Sequence, residues 1–137
     1  MSGSYDDQSI RTMEAVFTCS VCGKVAANVT LIPGSVTNPS AMLSERAAGT
    51  LMIAGFMGGT GEAVEAEEFM PVKEALLETN AQKLYAIRNL WAPFYCPQCQ
   101  SVYCLNHWKT RAVFEEGGWY DCSYGVCPQG HERKVDD

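Results

Sequence analysis

Four short spacings gather both histidines and six of the seven cysteines of the chain: Cys19-x-x-Cys22, Cys96-x-x-Cys99, Cys104-x-x-His107 and Cys127-x-x-x-His131, with Cys122 left over. Thiolates and imidazoles paired two or three residues apart are what a tetrahedral zinc ion draws from a single turn of chain. Four such half-sites complete two sites, so the sequence predicts two Zn per chain. An odd number of cysteines forbids complete disulfide pairing. Met1 to Gln8 also carries no basic residue ahead of an apolar run. It reads as neither a secretory signal nor a transit peptide, which makes the expected compartment cytoplasmic and the thiols metal ligands. A catalytic zinc keeps an open position and three protein ligands. Eight mostly thiolate ligands fill two sites instead, so the ions read as structural and no catalytic residue is expected. A redox-active Cys-x-x-Cys would stand alone in a βαβ pattern, without histidines at ligand spacing.

Which half-sites combine is a separate question. Cys99 and Cys104 are five positions apart. In an extended hairpin an odd separation sends side chains to opposite faces, so Cys96/Cys99 and Cys104/His107 should serve different metals. Two arrangements remain. In the interleaved one, Cys19, Cys22, Cys104 and His107 bind one ion, while Cys96, Cys99, Cys127 and His131 bind the other. In the sequential one, the two Cys-x-x-Cys pairs share an ion. Spacing leaves both open.

Elements must hold these residues in place. Residues 14–18 suggest a strand entering the first pair, and Gly23 fits the tight turn of a zinc knuckle. Val25, Ala27, Val29 and Leu31 alternate as a half-buried strand does, ended by Pro33-Gly34 and Asn38-Pro39. Thr50 to Met57 reads as a buried strand. Gly58-Gly59-Thr60-Gly61 reads as a hairpin turn rather than an anion cradle. Glu62, Glu65, Glu67 and Glu68 read as a solvated approach to a helix, or two short ones, over 71–90 with Pro71 in its first turn. Met52, Phe56, Met57, Phe69 and Met70 read as core, and Cys122 as a spare buried thiol. The chain is 137 residues long and 47% apolar, which predicts a single α+β domain over 1–137. A zinc-binding module would occupy 14–24 and 94–137, with an inserted strand-and-helix segment over 25–93.

Tyr95-Cys96-Pro97-Gln98-Cys99 through Cys104-Leu105-Asn106-His107-Trp108 resembles the centre of a binuclear treble clef of the RING and FYVE type. The four-residue gap between Cys99 and Cys104 is similar to the FYVE spacing. Cys19-Ser20-Val21-Cys22 and Cys127-Pro128-Gln129-Gly130-His131-Glu132-Arg133 are similar to the RING start and end. The C-terminal stretch also resembles small uncharacterised bacterial proteins with a Cys-Pro-x-x-His close. The likeness covers about a third of the chain. It departs in the long insert, in Cys/Cys at the second pair, and in the three residues inside the last pair. The resemblance implies the interleaved, cross-brace ligand set on a small treble clef. It also implies a shallow groove for a protein partner, an E2-like conjugating enzyme of a prokaryotic ubiquitin-like system. Carried over by position, Val21, Trp108 or Trp119, and Pro128 would line that groove, with Arg133 or Lys134 as the bridging cation. Such an E3 ligase-like adaptor acts by positioning, without catalytic residues of its own. The alternative reading is a structural or regulatory zinc-finger protein with no conjugation role.

Charge narrows the partners. The formal net charge is −6, and six thiolates with two zinc ions deepen it to about −8. A nucleic-acid partner is therefore disfavoured. No stretch approaches a membrane span.

Overall fold

The alternation that begins on either side of the first cysteine pair builds a sheet rather than an insert. The computed structural model describes residues 12–34 and 47–137; the predicted stop at Asn38-Pro39 and the acidic start Met1–Gln8 lie outside them. Strands β1 (Met13–Thr18), β2 (Val25–Pro33), β3 (Ala47–Ala54) and β4 (Gly59–Glu65) form an antiparallel meander in that order. Val29 stands opposite Ala15 and Ile53. The period of two then places Ala15, Phe17, Val29, Leu31, Leu51, Ile53 and Val64 on one buried face. Helix α1 (Ala66–Leu77) packs across all four strands with Val72, Ala75 and Leu76, and α2 (Ala81–Ile87) packs on α1 with Ala81 and Leu84 buried.

Beyond a 3-10 turn at Asn89–Trp91 comes the short hairpin of β5 (Tyr95–Cys96) and β6 (Ser101–Val102). A second 3-10 turn, Leu105–His107, leads into a three-stranded antiparallel meander of β7 (Lys109–Phe114), β8 (Tyr120–Val126) and β9 (Glu132–Asp136). Edge-on and tilted rings join the two halves through one core. Phe17 and Phe94 have centroids 4.9 Å apart, Phe94 and Phe56 6.2 Å, and Phe56 and Trp108 6.4 Å. Among the described residues no helix is long and apolar enough to cross a membrane.

This architecture overturns the expected treble clef with a long strand-and-helix insert. Nine strands in three antiparallel sheets dominate the described residues, against two α-helices of 12 and 7 residues. No helix follows His107: Trp108 runs directly into β7. The reason is local. Arg111, Val113 and Phe114 pair with Tyr124, Cys122 and Tyr120 across Gly117-Gly118, a β-rich pattern broken by a turn, and that pattern makes a hairpin.

Smaller expectations fail for similar reasons. β3 ends at Ala54, and the turn is Gly55 to Gly58, closed by the Gly55 N–H donating to the Gly58 carbonyl at 3.0 Å. Gly59 to Gly61 belong to β4. α1 begins at Ala66 rather than near Pro71, which lies inside it, because Glu65 and Glu68 form a reciprocal capping box. Glu68 is therefore no solvated residue: it accepts the Glu65 N–H at 3.0 Å and a two-pronged contact from Arg88 at 2.8 and 3.0 Å. Phe56 is core and Met57 and Phe69 flank it, but Met52 and Met70 are exposed. Met52 alternates with Leu51 and Ile53 and so takes the opposite face of β3.

Gly125 on β8 shows how closely the C-terminal sheet meets Trp108. A Cβ there would lie 3.0 Å from the Trp108 ring and 3.1 Å from Val135. Gly125→Ala should cost about 1–3 kcal/mol through overpacking. A lowered midpoint in denaturant titration would confirm this, and an unchanged midpoint would refute it.

Candidate metal centres

Two knuckles and two loops bring the eight predicted ligands together in the interleaved arrangement. Cys19, Cys22, Cys104 and His107 form one cluster, and Cys96, Cys99, Cys127 and His131 the other, with the ligand atoms of each within 4.8 Å of one another. The β1–β2 connection supplies Cys19 and Cys22, and the 3-10 turn before β7 supplies Cys104 and His107. The β5–β6 hairpin supplies Cys96 and Cys99, and the β8–β9 connection supplies Cys127 and His131. The knuckles also touch directly: the Ser20 N–H donates to the Val102 carbonyl at 2.8 Å.

Geometry tests which ion would fit. Zinc about 2.3 Å from sulfur and about 2.0 Å from nitrogen, at tetrahedral angles, requires S···S of about 3.8 Å and S···N of about 3.5 Å. In the first cluster Cys22 and Cys104 sulfurs are 3.7 Å apart, and His107 Nδ1 lies 3.5 Å from Cys19 Sγ and 3.2 Å from Cys104 Sγ. In the second, Cys99 and Cys127 sulfurs are 3.7 Å apart, and His131 Nδ1 lies 3.6, 3.3 and 3.4 Å from Cys96, Cys99 and Cys127. Both histidines thus present Nδ1, and both donor sets match a small tetrahedral ion with a taste for sulfur and nitrogen.

The backbone supports the sulfurs. Val21 N–H points at Cys19 Sγ at 3.4 Å, Cys99 N–H at Cys96 Sγ at 3.4 Å, and Gln129 and His131 N–H at Cys127 Sγ at 3.3 and 3.4 Å. Gly23 holds the left-handed turn that closes the first knuckle, at φ 77°, and its N–H donates to the Cys19 carbonyl at 2.9 Å. Gln100, with a side chain, takes the same conformation after Cys99 at φ 55°. Tyr103 adds a hydroxyl contact to Cys99, which together with burial pushes its own phenol up to about 12.

These surroundings split the thiols. Burial pushes Cys19 up, but the amides of Cys104, Cys22 and Val21 outweigh it and hold the group at about 6. Burial likewise opposes the His131 and Gln129 amides at Cys127, which settles at about 7. At Cys96 burial dominates and pushes the thiol up to about 11, and burial also raises Cys104. A metal must displace the protons these thiols hold. Cys96 holds its proton most tightly of these thiols and Cys19 least, so lowering the pH should empty the cluster of Cys96 first. Cobalt-substituted protein titrated from pH 8 downward would check this. Loss of the Cys19 cluster before the Cys96 cluster, each followed in a variant that keeps only one, would contradict it.

The residues assigned to a partner scatter. Val21, at the tip of the first knuckle, is 57% exposed, and Trp119, in the β7–β8 connection, is 75% exposed. Pro128 is exposed beside Cys127. Trp108 instead is buried, with its Nε1–H donating to the Tyr103 carbonyl at 3.0 Å, so it is core. Arg133 is engaged with backbone: Nη1 donates to the Ala92 and Tyr95 carbonyls at 2.8 and 2.7 Å, Nη2 to Asn89 at 2.9 Å, and Nε to Lys134 at 2.9 Å. Cys122 is buried on β8 outside both clusters. Sequence reading missed Arg133 as a clamp. Nothing in the spacing of one arginine near the end of a strand signals contacts reaching back some forty residues.

A family described as a domain of unknown function, DUF8328, matches residues 9–137, and the chain belongs to it. No curated protein and no solved structure matches the chain.

Proposed function

We propose that this DUF8328 domain is a zinc-stapled protein-interaction module with no chemistry of its own. The observation that carries the reading is the pairing of complete ligand sets with outward apolar tips. Each cluster already offers four protein donors, which leaves no position for substrate. Val21 meanwhile stands exposed between two ligands. Bound zinc supplies cross-links and charge neutralisation there, and the chain's own residues orient the knuckle tips toward a partner.

In its sharper form the partner is an E2-like conjugating enzyme and the chain an E3 ligase-like adaptor. The exposure of Val21 and Pro128 supports that form. Arg133 does not, because four of its five donors hold it on backbone carbonyls beside Tyr95. A structural or regulatory zinc protein without a conjugation role is the alternative.

A photo-crosslinking side chain at Val21, in the full zinc-loaded chain expressed in its own cells, tests the reading. One discrete protein adduct is expected at that position and none at Leu77, which is as exposed but lies on α1. Adducts equal at both positions would sink the proposal. If the adduct is a conjugating enzyme, the chain should also speed discharge of its thioester. Val21→Arg should remove both effects by placing an unpaired charge in an apolar contact.

A further inference from the structure

A cleft of ≈480 Å³ opens on the side of the molecule where β9 meets the 3-10 turn at Asn89–Trp91. Its volume falls within the range of small-molecule sites. Three of its lining residues are cations, Arg88, Arg133 and Lys134, and one is a carboxylate, Glu62. That excess is notable in a chain whose net charge is −6.

The three cations are not equally occupied. Arg88 is held in a two-pronged pair by the largely buried Glu68, whereas Lys134 meets Asp137 at 3.3 Å in a surface pair, worth little and readily exchanged. Arg133 has no carboxylate partner among the described residues. Its four hydrogen bonds all go to neutral carbonyls, and its guanidinium lies 5.1 Å from the centre of the Tyr85 ring, another lining residue. A guanidinium has five N–H donors. Nε gives one, Nη1 serves Ala92 and Tyr95, and Nη2 serves Asn89, so one Nη2 donor is left over at the exposed end of the group.

A second polar atom is left over on a residue that lines the cleft. Trp91 lines the cleft, is 1% exposed, and its Nε1–H finds no acceptor among the described residues. Buried donors without acceptors are rare in folded proteins and ask for an explanation.

We propose that this cleft binds the anionic group, phosphate or carboxylate, of a small molecule. The free Nη2–H of Arg133 and the Lys134 ammonium hold the anion. Arg88 shares its charge from the side, and Glu62 accepts a hydroxyl or ammonium donor at the ligand's other end. The site is separate from the knuckle tips and stands whether or not they bind a protein.

Nitrogen-labelled, zinc-loaded protein titrated with inorganic phosphate, and separately with acetate, at constant ionic strength tests the proposal. The three tryptophan indole signals report different places: Trp91 the cleft, Trp108 the core, Trp119 the β7–β8 connection. Saturable shifts confined to the Trp91 indole and the Arg133 Nε–H are expected, with a dissociation constant on the order of 1 mM for so small a probe. Saturation by phosphate alone identifies a phosphate-bearing ligand, and saturation by acetate identifies a carboxylate. Lys134→Ala and Arg88→Ala, both at exposed side chains, should each weaken binding about fivefold or more, with zinc content unchanged. Shifts that rise linearly at all three indoles with both anions, or an affinity indifferent to both substitutions, would overturn the site.

Discussion

Chelating the metal should melt the C-terminal meander and leave the first sheet standing. Strands β2 and β3 bury Val29, Leu31, Leu51 and Ile53 beneath α1, and none of these side chains is a candidate ligand, although the core they belong to runs on to Cys19, Cys96, Cys104 and Cys127. Strand β7 by contrast buries no residue, and β8 and β9 together bury only Cys122, Ser123, Gly125 and Val135. Apart from the contact of Gly125 and Trp108 and the Arg133 hydrogen bonds, what holds them is their attachment to the two clusters. A structural zinc site contributes on the order of 10–16 kcal/mol of folding free energy in small peptides, against a net domain stability of about 5–15 kcal/mol. Two ions should be present per chain by elemental analysis. After chelation, amide hydrogens of β7–β9 should exchange fast while those of β2 and β3 stay protected. Cys19→Ser should empty only the cluster containing His107, and Cys96→Ser only the cluster containing His131. One metal per chain, uniform exchange after chelation, or a site lost jointly through Cys19→Ser and Cys96→Ser would each refute this account.

Removing Arg133 should cost more than removing any other surface-reaching cation. Its guanidinium ties β9 to the carbonyls of Asn89, Ala92 and Tyr95, and Tyr95 immediately precedes the ligand Cys96. Arg133→Ala removes a charged donor from three carbonyls, of which those of Asn89 and Ala92 keep only the Ala92 and Tyr95 N–H groups, and opens a void beside Tyr85. A loss of about 3 kcal/mol is expected. Arg133→Lys should recover little, because one ammonium cannot span the fork from Asn89 to Tyr95. Lys134→Ala, one residue on and with a largely solvated side chain, should be near neutral when both variants are compared by thermal unfolding. Equal effects at 133 and 134 would show that the clamp carries no weight.

The candidate ligands could be read from the sequence because ion chemistry demands particular side chains at short range. Cys19 to Cys22 and Cys127 to His131 are each complete within a single turn, so spacing alone displays them. Their partition into two clusters depended on how distant segments meet, and neighbouring residues do not encode that. Strands β1 and β2 were legible through strict alternation. The C-terminal hairpin was not, because the resemblance carried by Cys104 to Trp108 implied a treble clef, although Thr110 to Phe114 and Tyr120 to Val126 favour strands. The start of α1 was written in Glu65 and Glu68, but four acidic residues in a row of seven read more simply as solvated charge. Trp108 and Arg133 reversed role for one reason: each acts through a contact distant in sequence, the first through Phe56, the second through Asn89.

Connectivity has a kinetic corollary. Every pairing in the two large sheets joins strands adjacent in the chain, β1 with β2 through β4, and β7 with β8 and β9. Hairpins of that kind close in microseconds. The ligand contact between Cys19 and His107 joins residues 88 apart, and that between Cys96 and His131 residues 35 apart. Closing the longer loop opposes folding by about 4 kcal/mol of chain entropy, a cost met only when the loop's ends are finally tied. Sheet formation should therefore run ahead of the search that brings the ends of the loop together. Refolding would then show a fast phase insensitive to zinc concentration, followed by a slower one that zinc accelerates.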